Sequence, residues 1–396
     1  MKEEEYPFQN LIPGLPDEIA LDCLARVPYQ FHAPLRCVCR RWNALVADSS
    51  FYRYRKIADH GEQLVCLVQA VLANSHSTDE SETDSPADKD KSVNICRPPA
   101  YGLTLYNASD DTWRTIAPPP EGIPMFCQCV AAGGKLMLMG GWDPSTLEAV
   151  ADVYVCDLVR GGGWRRGSPM PAARSFFACA AVGGTTVYVA GGHDDQKNAL
   201  RSAAAYDVER DAWRALPPMA EERDECRGLL RDGRFFVLSG YRTESQGRFD
   251  WGGECYDSET GSWVGLDRVW PFPSASPRGT CCAPARAGKS ESSMWFVKTG
   301  SGGRRGVMEF DSKDKEWKLV GPAPEGICSS SSPCAALISG GPSSSDRIFA
   351  MASWQEEGGA HRQRACTWEL GTRKWMQVDT PAEFSGFVYS ATSLYL

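Results

Sequence analysis

A repeat with a period near fifty residues constrains the fold of this chain more than any other feature. Five segments place an aromatic residue seven positions before a tryptophan: Tyr106/Trp113, Tyr206/Trp213, Tyr256/Trp263, Phe310/Trp317 and Trp368/Trp375. A sixth copy, Tyr154/Trp164, carries a three-residue insertion. Successive tryptophans lie 51, 49, 50, 54 and 58 residues apart. A regular period of this size indicates one supersecondary unit that is used several times.

The amino-acid sequence between successive tryptophans is typical of short β-strands. Its apolar runs end in small residues, as in "KLMLMGG", "TTVYVAGG", "RFFVLSG" and "SMWFVKTG". Such runs, bounded by glycine, favour strands over helices. Four short strands per period predict one propeller blade, and six copies predict six blades.

The first blade lacks two strands beside its Tyr106/Trp113 pair. The segments Gln63–Val71 and Gly386–Leu396 have strand-like patterns and can supply them. A blade built from both ends of the repeat region closes the ring and leaves no free sheet edge. The predicted fold of residues 63–396 is therefore an all-β, six-bladed propeller, with the Tyr/Trp pairs packing one blade on the next.

The repeat resembles the kelch motif, in which a double glycine follows the second strand and a Tyr…Trp pair lies on the third and fourth. Gly140-Gly141 and Gly191-Gly192 match the motif fully. The later copies match less well: Ser239-Gly240, Thr299-Gly300 and Ala352-Ser353. The resemblance implies a kelch propeller.

Residues 9–56 have the pattern of a small all-α domain. Pro16 begins a segment with apolar residues at helical spacing, and Pro28 ends it. A second helix is predicted over Leu35–Val46, with Val38, Cys39, Trp42 and Leu45 on its apolar face, and a third over "SSFYRYRKI". So short a region cannot bury all this apolar surface among its own helices, and a partner is implied.

The same region resembles an F-box in the order and spacing of Leu15-Pro16, Val27-Pro28, "VCRRW" and Phe51. The resemblance implies that the apolar face docks on the Skp adaptor of a cullin–RING ubiquitin ligase. The residues it assigns to adaptor binding are Leu15, Pro16, Ile19, Leu24, Val27, Pro28, Leu35, Val38, Cys39, Trp42 and Leu45. The alternative is a self-contained helical cap packed on the propeller.

An F-box ahead of kelch repeats is similar to plant F-box/kelch proteins. The runs "IPGLPDEIALDCLARVPYQFH" and "CLVQ" resemble one subfamily, whose members direct degradation of phenylalanine ammonia-lyase or of type-B response regulators in cytokinin signalling. The resemblance implies a non-catalytic substrate-recognition subunit of an SCF-type (Skp–cullin–F-box) ligase, with those proteins as candidate targets. The alternative function is a kelch scaffold without ubiquitin transfer.

Composition excludes several other classes. A net charge of -8 disfavours a general nucleic-acid binder, which needs concentrated Lys and Arg. We find no signal-peptide pattern and no stretch as long as a membrane span, so we expect a cytoplasmic or nuclear protein with its 16 cysteines reduced. Only His193 and His361 fall in the propeller, so we expect no metal, cofactor or catalysis. The acidic, low-complexity segment 74–100 is predicted to be disordered.

The target-binding surface is predicted on one propeller face. There the turns after each second strand and the connections between blades emerge together. The turn positions are Trp142, His193, Tyr241, Ser301 and Trp354, and the connections add Arg174, Arg223 and Arg278. The long turn Tyr241–Glu254 adds Arg242, Arg248, Phe249 and Trp251. Aromatic residues with arginine are typical of protein-binding hot spots, although in such blades they also pack neighbouring blades.

Overall fold

The computed structural model describes residues 10–71, 100–161, 163–283, 292–299, 305–328, 333–340, 345–355 and 361–396. The acidic segment predicted over 74–100 lies outside these ranges except for its last residue. Two parts are described: a helical unit (residues 10–57) and a propeller that begins at Gln63.

The helical unit contains four α-helices and a short 3₁₀ helix at Tyr29–Phe31. The α-helices are α1 (Asp17–Ala25), α2 (His32–Arg36), α3 (Arg40–Ala47) and α4 (Ser49–Ile57). Pro16 precedes α1, and the acidic Asp17 and Glu18 in its first turn complement the helix dipole. Leu24, Ala25, Val46 and Phe51 form the buried core of this unit.

The single helix predicted over Leu35–Val46 is wrong. The chain leaves the helix after Arg36, and Cys39 is extended, with φ −158°. The Cys39 side chain accepts a hydrogen bond from the backbone N–H of Trp42 and so caps α3. Two short helices therefore replace one long helix, and Val38 lies between them instead of on a helical face.

The propeller has six antiparallel sheets of four strands, as predicted. Blade 1 is formed by β24 (Val388–Tyr395), β1 (Gln63–Ala70), β2 (Tyr101–Asn107) and β3 (Thr112–Ile116). Blade 2 is formed by β4 (Gln128–Ala132), β5 (Lys135–Met139), β6 (Val153–Asp157) and β7 (Trp164–Arg166). Blade 3 is formed by β8 (Ala178–Val182), β9 (Thr186–Ala190), β10 (Ala203–Asp207) and β11 (Ala212–Leu216).

Blades 4 to 6 follow the same order. Blade 4 is formed by β12 (Arg227–Arg231), β13 (Arg234–Leu238), β14 (Gly253–Asp257) and β15 (Ser262–Leu266). Blade 5 is formed by β16 (Thr280–Ala283), β17 (Ser293–Lys298), β18 (Gly306–Asp311) and β19 (Glu316–Pro322). Blade 6 is formed by β20 (Cys334–Ile338), β21 (Arg347–Gln355), β22 (His361–Glu369) and β23 (Lys374–Gln377).

The ring closes through blade 1, as predicted. The innermost strand of that blade is β24, and it pairs with β1 in the register Leu64↔Leu394 and Cys66↔Thr392. The inner strands β24, β4, β8, β12, β16 and β20 contact one another in a circle. They line an axial channel with a volume of about 530 Å³.

The aromatic–tryptophan pairs lie directly across the third and fourth strands, as in Tyr206↔Trp213. The pair predicted in blade 2 is wrong, because Trp164 lies opposite Cys156 and Tyr154 lies opposite Arg166. Each of these six tryptophans donates its indole N–H to a backbone carbonyl at the end of the preceding blade or in the connection that follows it: Asp379, Ala117, Ser168, Pro217, Val269 and Pro322. The tryptophans therefore join each blade to its neighbour.

The double glycines are explained by a close approach of backbone. Gly141 has φ +98°, and a Cβ there would lie 2.4 Å from the carbonyl oxygen of Met125. Gly192 repeats this arrangement in blade 3, with φ +81° and 2.3 Å to the carbonyl oxygen of Ser175. A side chain at either position would push away the connection that forms the propeller face.

Candidate functional site

The eleven residues predicted to bind the adaptor divide into a core and a surface. Leu24 is buried, while Leu15, Val27, Leu35, Trp42 and Leu45 are partly buried. The exposed members are Pro16, Ile19, Pro28, Val38 and Cys39. Exposed fractions of 52% for Ile19 and 60% for Val38 are high for branched apolar side chains. Adaptor binding by this set stays a prediction.

Phe31 is a further exposed apolar residue of the helical unit and was missed from the sequence. Its exposed fraction is 49%, and it ends the 3₁₀ turn between α1 and α2. The segment between Pro28 and Pro34 is too short to show a helical period, so no such pattern marked this residue. Several exposed large apolar side chains on one small unit are typical of a protein-binding surface.

The helical unit is fixed to the propeller through the carboxylate of Glu62. Its oxygen atoms accept hydrogen bonds from the backbone N–H of Tyr29 (2.6 Å) and the side-chain amide of Asn107 (2.9 Å). The Arg55 guanidinium pairs with the same carboxylate at 3.0 Å. Both charged side chains are largely buried, so this ion pair is a structural joint between α4 and blade 1.

His32 completes the joint on the helical side. Its Nδ1 lies 3.0 Å from the Tyr52 hydroxyl, and its Nε2 lies 3.0 Å from the Arg55 guanidinium. Burial, together with the nearby Arg55 charge, lowers the pKa of His32 to about 4. The imidazole is therefore neutral at pH 7 and leaves the Arg55 charge to Glu62.

The opposite face of the propeller carries the predicted turns and connections, and they meet as predicted. Isolated β-bridges join Met125 to Trp142, Ser175 to His193 and Asp224 to Tyr241. Arg36 of the helical unit contacts the other end of blade 2, at the carbonyl of Arg160 in the turn between β6 and β7. The two candidate surfaces therefore lie on opposite ends of the propeller.

Aromatic side chains form a crown on this face. We define the crown as Phe126, Trp142, Phe176, His193 and Tyr389. The centroids of Phe126 and Phe176 lie 5.0 Å apart, and Tyr389 lies 5.2 Å from Phe126 and 5.5 Å from Phe176. The rings of Phe126, Trp142 and Phe176 are only partly buried, and they are available to a partner.

Phe126, Phe176 and Tyr389 were missed from the sequence. Phe126 and Phe176 have φ values of +58° and +56°, which bulky side chains rarely adopt. Held strain of this kind is frequent at binding sites. The signal was present in the repeats as "FCQC" and "FFAC", where a phenylalanine precedes each inner strand.

A hydrogen-bonded chain holds the crown together. Trp142 donates its indole N–H to His193 Nε2 at 3.2 Å, and His193 Nδ1 lies 2.9 Å from both carboxylate oxygens of Asp224. The donor role of Trp142 assigns the imidazole proton to Nδ1. His193 therefore links blades 2, 3 and 4 and is not free to bind a metal.

Two of the predicted arginines are buried. Arg174 is 2% exposed and donates to the carbonyls of Gly191 (3.0 Å) and Ser202 (3.1 Å). Arg223 is 4% exposed and pairs with Glu254 at 3.2 Å. This burial favours a role in packing the blades over contact with a target.

The predicted long loop Tyr241–Glu254 also contains both buried and exposed side chains. Arg242, Arg248 and Trp251 are exposed, whereas Tyr241 and Phe249 are buried and pack on each other with centroids 5.6 Å apart. Arg242 pairs with Glu221 at 2.7 Å. Three side chains of this loop are thus open to a partner.

The structure does not show the two remaining predicted turn positions, Trp354 and Ser301, at the start of a turn. The prediction that Trp354 opens a turn is wrong, because β21 continues to Gln355 and Trp354 is buried within it. Ser301 lies outside the described residues.

The part of the chain that the structure describes contains no group of three or more His, Cys, Asp or Glu side chains placed to hold a metal ion. Burial raises the pKa of the Cys127, Cys179 and Cys281 thiols to about 12, so they are protonated at neutral pH. Among the described helices, none is long and apolar enough to cross a membrane.

Comparison with known proteins agrees with this architecture. A model of the F-box domain matches residues 12–54, and a model of the kelch motif matches residues 174–220. The F-box/kelch-repeat protein SKIP20 of Arabidopsis thaliana is 41% identical over 420 residues, covering 98% of this chain and 97% of the relative. The F-box/kelch-repeat protein At2g44130 of the same plant is 44% identical over 410 residues, covering 100% and 98%.

An F-box together with kelch repeats indicates a substrate adaptor of an SCF-type ubiquitin ligase in general, and this role is consistent with a non-catalytic protein. The likeness to both relatives extends over nearly the whole of each chain. The protein therefore belongs to the plant F-box/kelch-repeat family.

Proposed function

We propose that this protein is the substrate-recognition subunit of an SCF-type ligase in the cytoplasm or nucleus, and that it directs degradation of phenylalanine ammonia-lyase or of type-B response regulators. The exposed apolar side chains of the F-box would bind a Skp adaptor. The crown and the loop around Trp251 would bind the target. The observation that carries the proposal is the position of these two surfaces at opposite ends of the propeller, held by the buried Arg55–Glu62 pair.

This arrangement explains how a substrate adaptor can accelerate ubiquitin transfer. Binding the target and the ligase to one body raises the effective concentration of target lysines near the charged ubiquitin. A fixed joint limits the volume that the target explores. The target identities come from the resemblance of residues 12–32 and 66–69 to one plant subfamily, and the half-lives of these proteins test them directly.

The adaptor surface is tested by an Ile19→Asp/Val38→Asp double variant. We expect its affinity for a Skp adaptor to fall at least about tenfold, because a charge at an apolar contact opposes desolvation. Both side chains are more than half exposed, so the thermal unfolding temperature should stay the same. Adaptor affinity is measured by calorimetry with purified proteins.

Leu147→Asp is the matched control, since Leu147 is equally exposed but lies in the turn that carries Trp142. Adaptor affinity that is unchanged in the double variant, or that falls equally in the Leu147 variant, would contradict the F-box assignment.

The target surface is tested by an Arg242→Ala/Trp251→Ala double variant. We expect the half-lives of phenylalanine ammonia-lyase or of type-B response regulators to lengthen when the protein is removed from plant cells, and to shorten again with the wild-type chain. The double variant should restore turnover only weakly, because truncated Trp and Arg contacts at an interface commonly cost about 2 kcal/mol or more each. Pulse-chase labelling measures these half-lives.

Arg234→Ala/Val264→Ala is the control pair, since it removes an exposed arginine and an exposed apolar side chain outside the turns of this face. Half-lives of both candidate targets that do not depend on the protein would refute them as targets. Equal turnover with the two double variants would remove the loop from the target surface.

A further inference from the structure

Two arginines lie at the end of the axial channel that opens on the crown. Arg227 begins β12, and Arg278 lies in the turn just before β16. They share a cavity with Gln128, Phe176, Glu225 and Tyr389, which we call the throat. The throat continues into the channel of about 530 Å³, since Gln128 and Arg227 line both.

The hydrogen bonds of these arginines go to backbone oxygen atoms. Arg227 donates to the carbonyls of Thr280 (3.2 Å) and Ala335 (3.3 Å). Arg278 donates to the carbonyls of Val388 (2.7 Å) and Tyr389 (2.8 Å). These bonds span the inner strands of blades 4, 5, 6 and 1 and fix the orientation of both guanidinium groups.

Backbone carbonyls do not neutralise these charges. Among the described residues, no carboxylate oxygen lies within 4.0 Å of either guanidinium. The Nε of Arg278 and the hydroxyl of Thr280 are buried and have no hydrogen-bond partner in that part of the chain. Unpaired donors beside a partly buried positive charge favour an anion.

Glu225 is the acidic side chain that lines the throat, and it does not fill this role. Its carboxylate accepts the hydrogen bond of the Tyr241 hydroxyl at 3.0 Å. Burial raises the pKa of Glu225, while Arg278 acts in the opposite direction. Thiols further along the channel, such as Cys179 and Cys281, are protonated and add no negative charge.

The aromatic rings around the throat limit what can enter. Arg278 lies over the rings of Tyr389 (4.8 Å) and Phe387 (5.3 Å). The partly buried Phe176 also lines the throat. A guanidinium fork beside aromatic rings is suited to a planar carboxylate on a short side chain.

The outer turns of this face carry charges of both signs. Glu148 and Asp195 are exposed, and so are Lys197 and Arg242. The rim therefore does not select one sign of charge in the residues around a central acid.

We infer that the throat binds one aspartate or glutamate side chain of the target, held between Arg227 and Arg278. The inference rests on the proposed function, since it names the chemistry of the target at the crown. It predicts a recognition element in which one acidic side chain enters the channel at the propeller axis.

The test uses the full chain in complex with its Skp adaptor and short labelled peptides with one central Asp between uncharged residues. A matched peptide replaces the central Asp by Asn. We expect the Asp peptide to bind at least about tenfold more tightly than the Asn peptide, because a bidentate charge-assisted pair is lost in the Asn peptide. Fluorescence anisotropy measures the affinities.

The throat is identified by an Arg227→Gln/Arg278→Gln variant, in which the preference for Asp over Asn should disappear. Arg234→Gln, which changes an exposed arginine on β13, should keep it. Because Arg227 and Arg278 also join inner strands, the wild-type chain supplies a second measurement: inorganic phosphate should compete with the Asp peptide and leave the Asn peptide unaffected.

Equal binding of the Asp and Asn peptides by the wild-type chain, or no binding of the Asp peptide, would overturn the inference. So would phosphate that fails to compete, or a preference for Asp that survives in the double glutamine variant. None of these outcomes changes the adaptor affinity or target half-lives on which the proposed function depends, so the two failures are distinguishable.

Discussion

A chain that lacks residues 386–396 should fail to fold cooperatively. These residues supply β24, the innermost strand of blade 1, which pairs along the whole of β1. Val388, Tyr389 and Leu396 are buried there, and each contributes about 1.5–3 kcal/mol by burial. Their loss approaches the net stability of an ordinary domain, about 5–15 kcal/mol.

The lost strand also joins elements that do not belong to blade 1. Arg278 donates to the carbonyls of Val388 and Tyr389, and Ser390 Oγ accepts the backbone N–H of Cys129 at 2.9 Å. Leu396 exchanges two backbone hydrogen bonds with Glu62, at 2.6 and 3.0 Å. Truncation therefore opens the ring between blades 6 and 2, and exposes an unpaired edge on β1 that favours aggregation.

Circular dichroism during heating and size-exclusion chromatography measure this effect. The truncated chain should show no sharp transition and should elute as aggregates. Phe387→Ser is the control within the same segment, because that side chain is 42% exposed and its loss should shift the transition by no more than a few degrees. A truncated monomer that melts as sharply as the full chain would contradict closure through β24.

The blade number and the closing strand were predictable because each depends on a pattern that survives in every copy. A tryptophan on each fourth strand binds the preceding connection, and this contact keeps the period visible even where Cys156 replaces the tyrosine. The missing strands of the first copy then had to come from elsewhere in the chain. Closure follows from counting strands, without knowledge of side-chain contacts.

The break between α2 and α3 was not predictable from spacing. Apolar residues at Leu35, Val38, Trp42 and Leu45 have the same separation whether or not the helix continues. The structure is decided by the Cys39 side chain, which caps α3 in place of the more usual Ser or Asp. A cysteine in a sequence seldom indicates a helix N-cap.

The binding face was predicted in its location but only partly in its residues. Arg174 and Arg223 were predicted to be surface residues because arginine is seldom fully buried. Their burial comes from carbonyls that the double-glycine turns bring close to the axis, such as the carbonyl of Gly191. Phe126 and Phe176 were missed because they lie in connections, where no strand period applies.

Replacing Glu62 by Gln should loosen the F-box from the propeller. The Glu62 carboxylate accepts from the Tyr29 backbone, the Asn107 amide and the Arg55 guanidinium. An amide in its place turns one acceptor into a donor and leaves the buried Arg55 charge without a counter-charge. Removing one partner of a buried ion pair commonly costs about 3–5 kcal/mol.

The destabilisation should appear first where the helical unit meets blade 1, because the propeller ring closes without the Arg55–Glu62 pair. Hydrogen exchange should become faster in α4 and in residues 58–62, while the exchange of inner strands such as β8 and β12 stays slow. Adaptor and target should still bind, since neither candidate surface includes Glu62. Ubiquitin transfer to the target should fall, because a loosened F-box no longer holds the target at a fixed position.

Arg26→Gln is the matched control for this variant. Arg26 forms an exposed pair with Asp22 at 2.9 Å, four residues earlier on α1, and such pairs contribute at most about 1 kcal/mol. Its exchange and transfer rates should equal those of the wild type. Equal rates in the Glu62→Gln variant would mean that the buried pair does not fix the orientation, and that apolar contacts such as Tyr29 and Tyr52 against blades 1 and 2 hold the F-box instead.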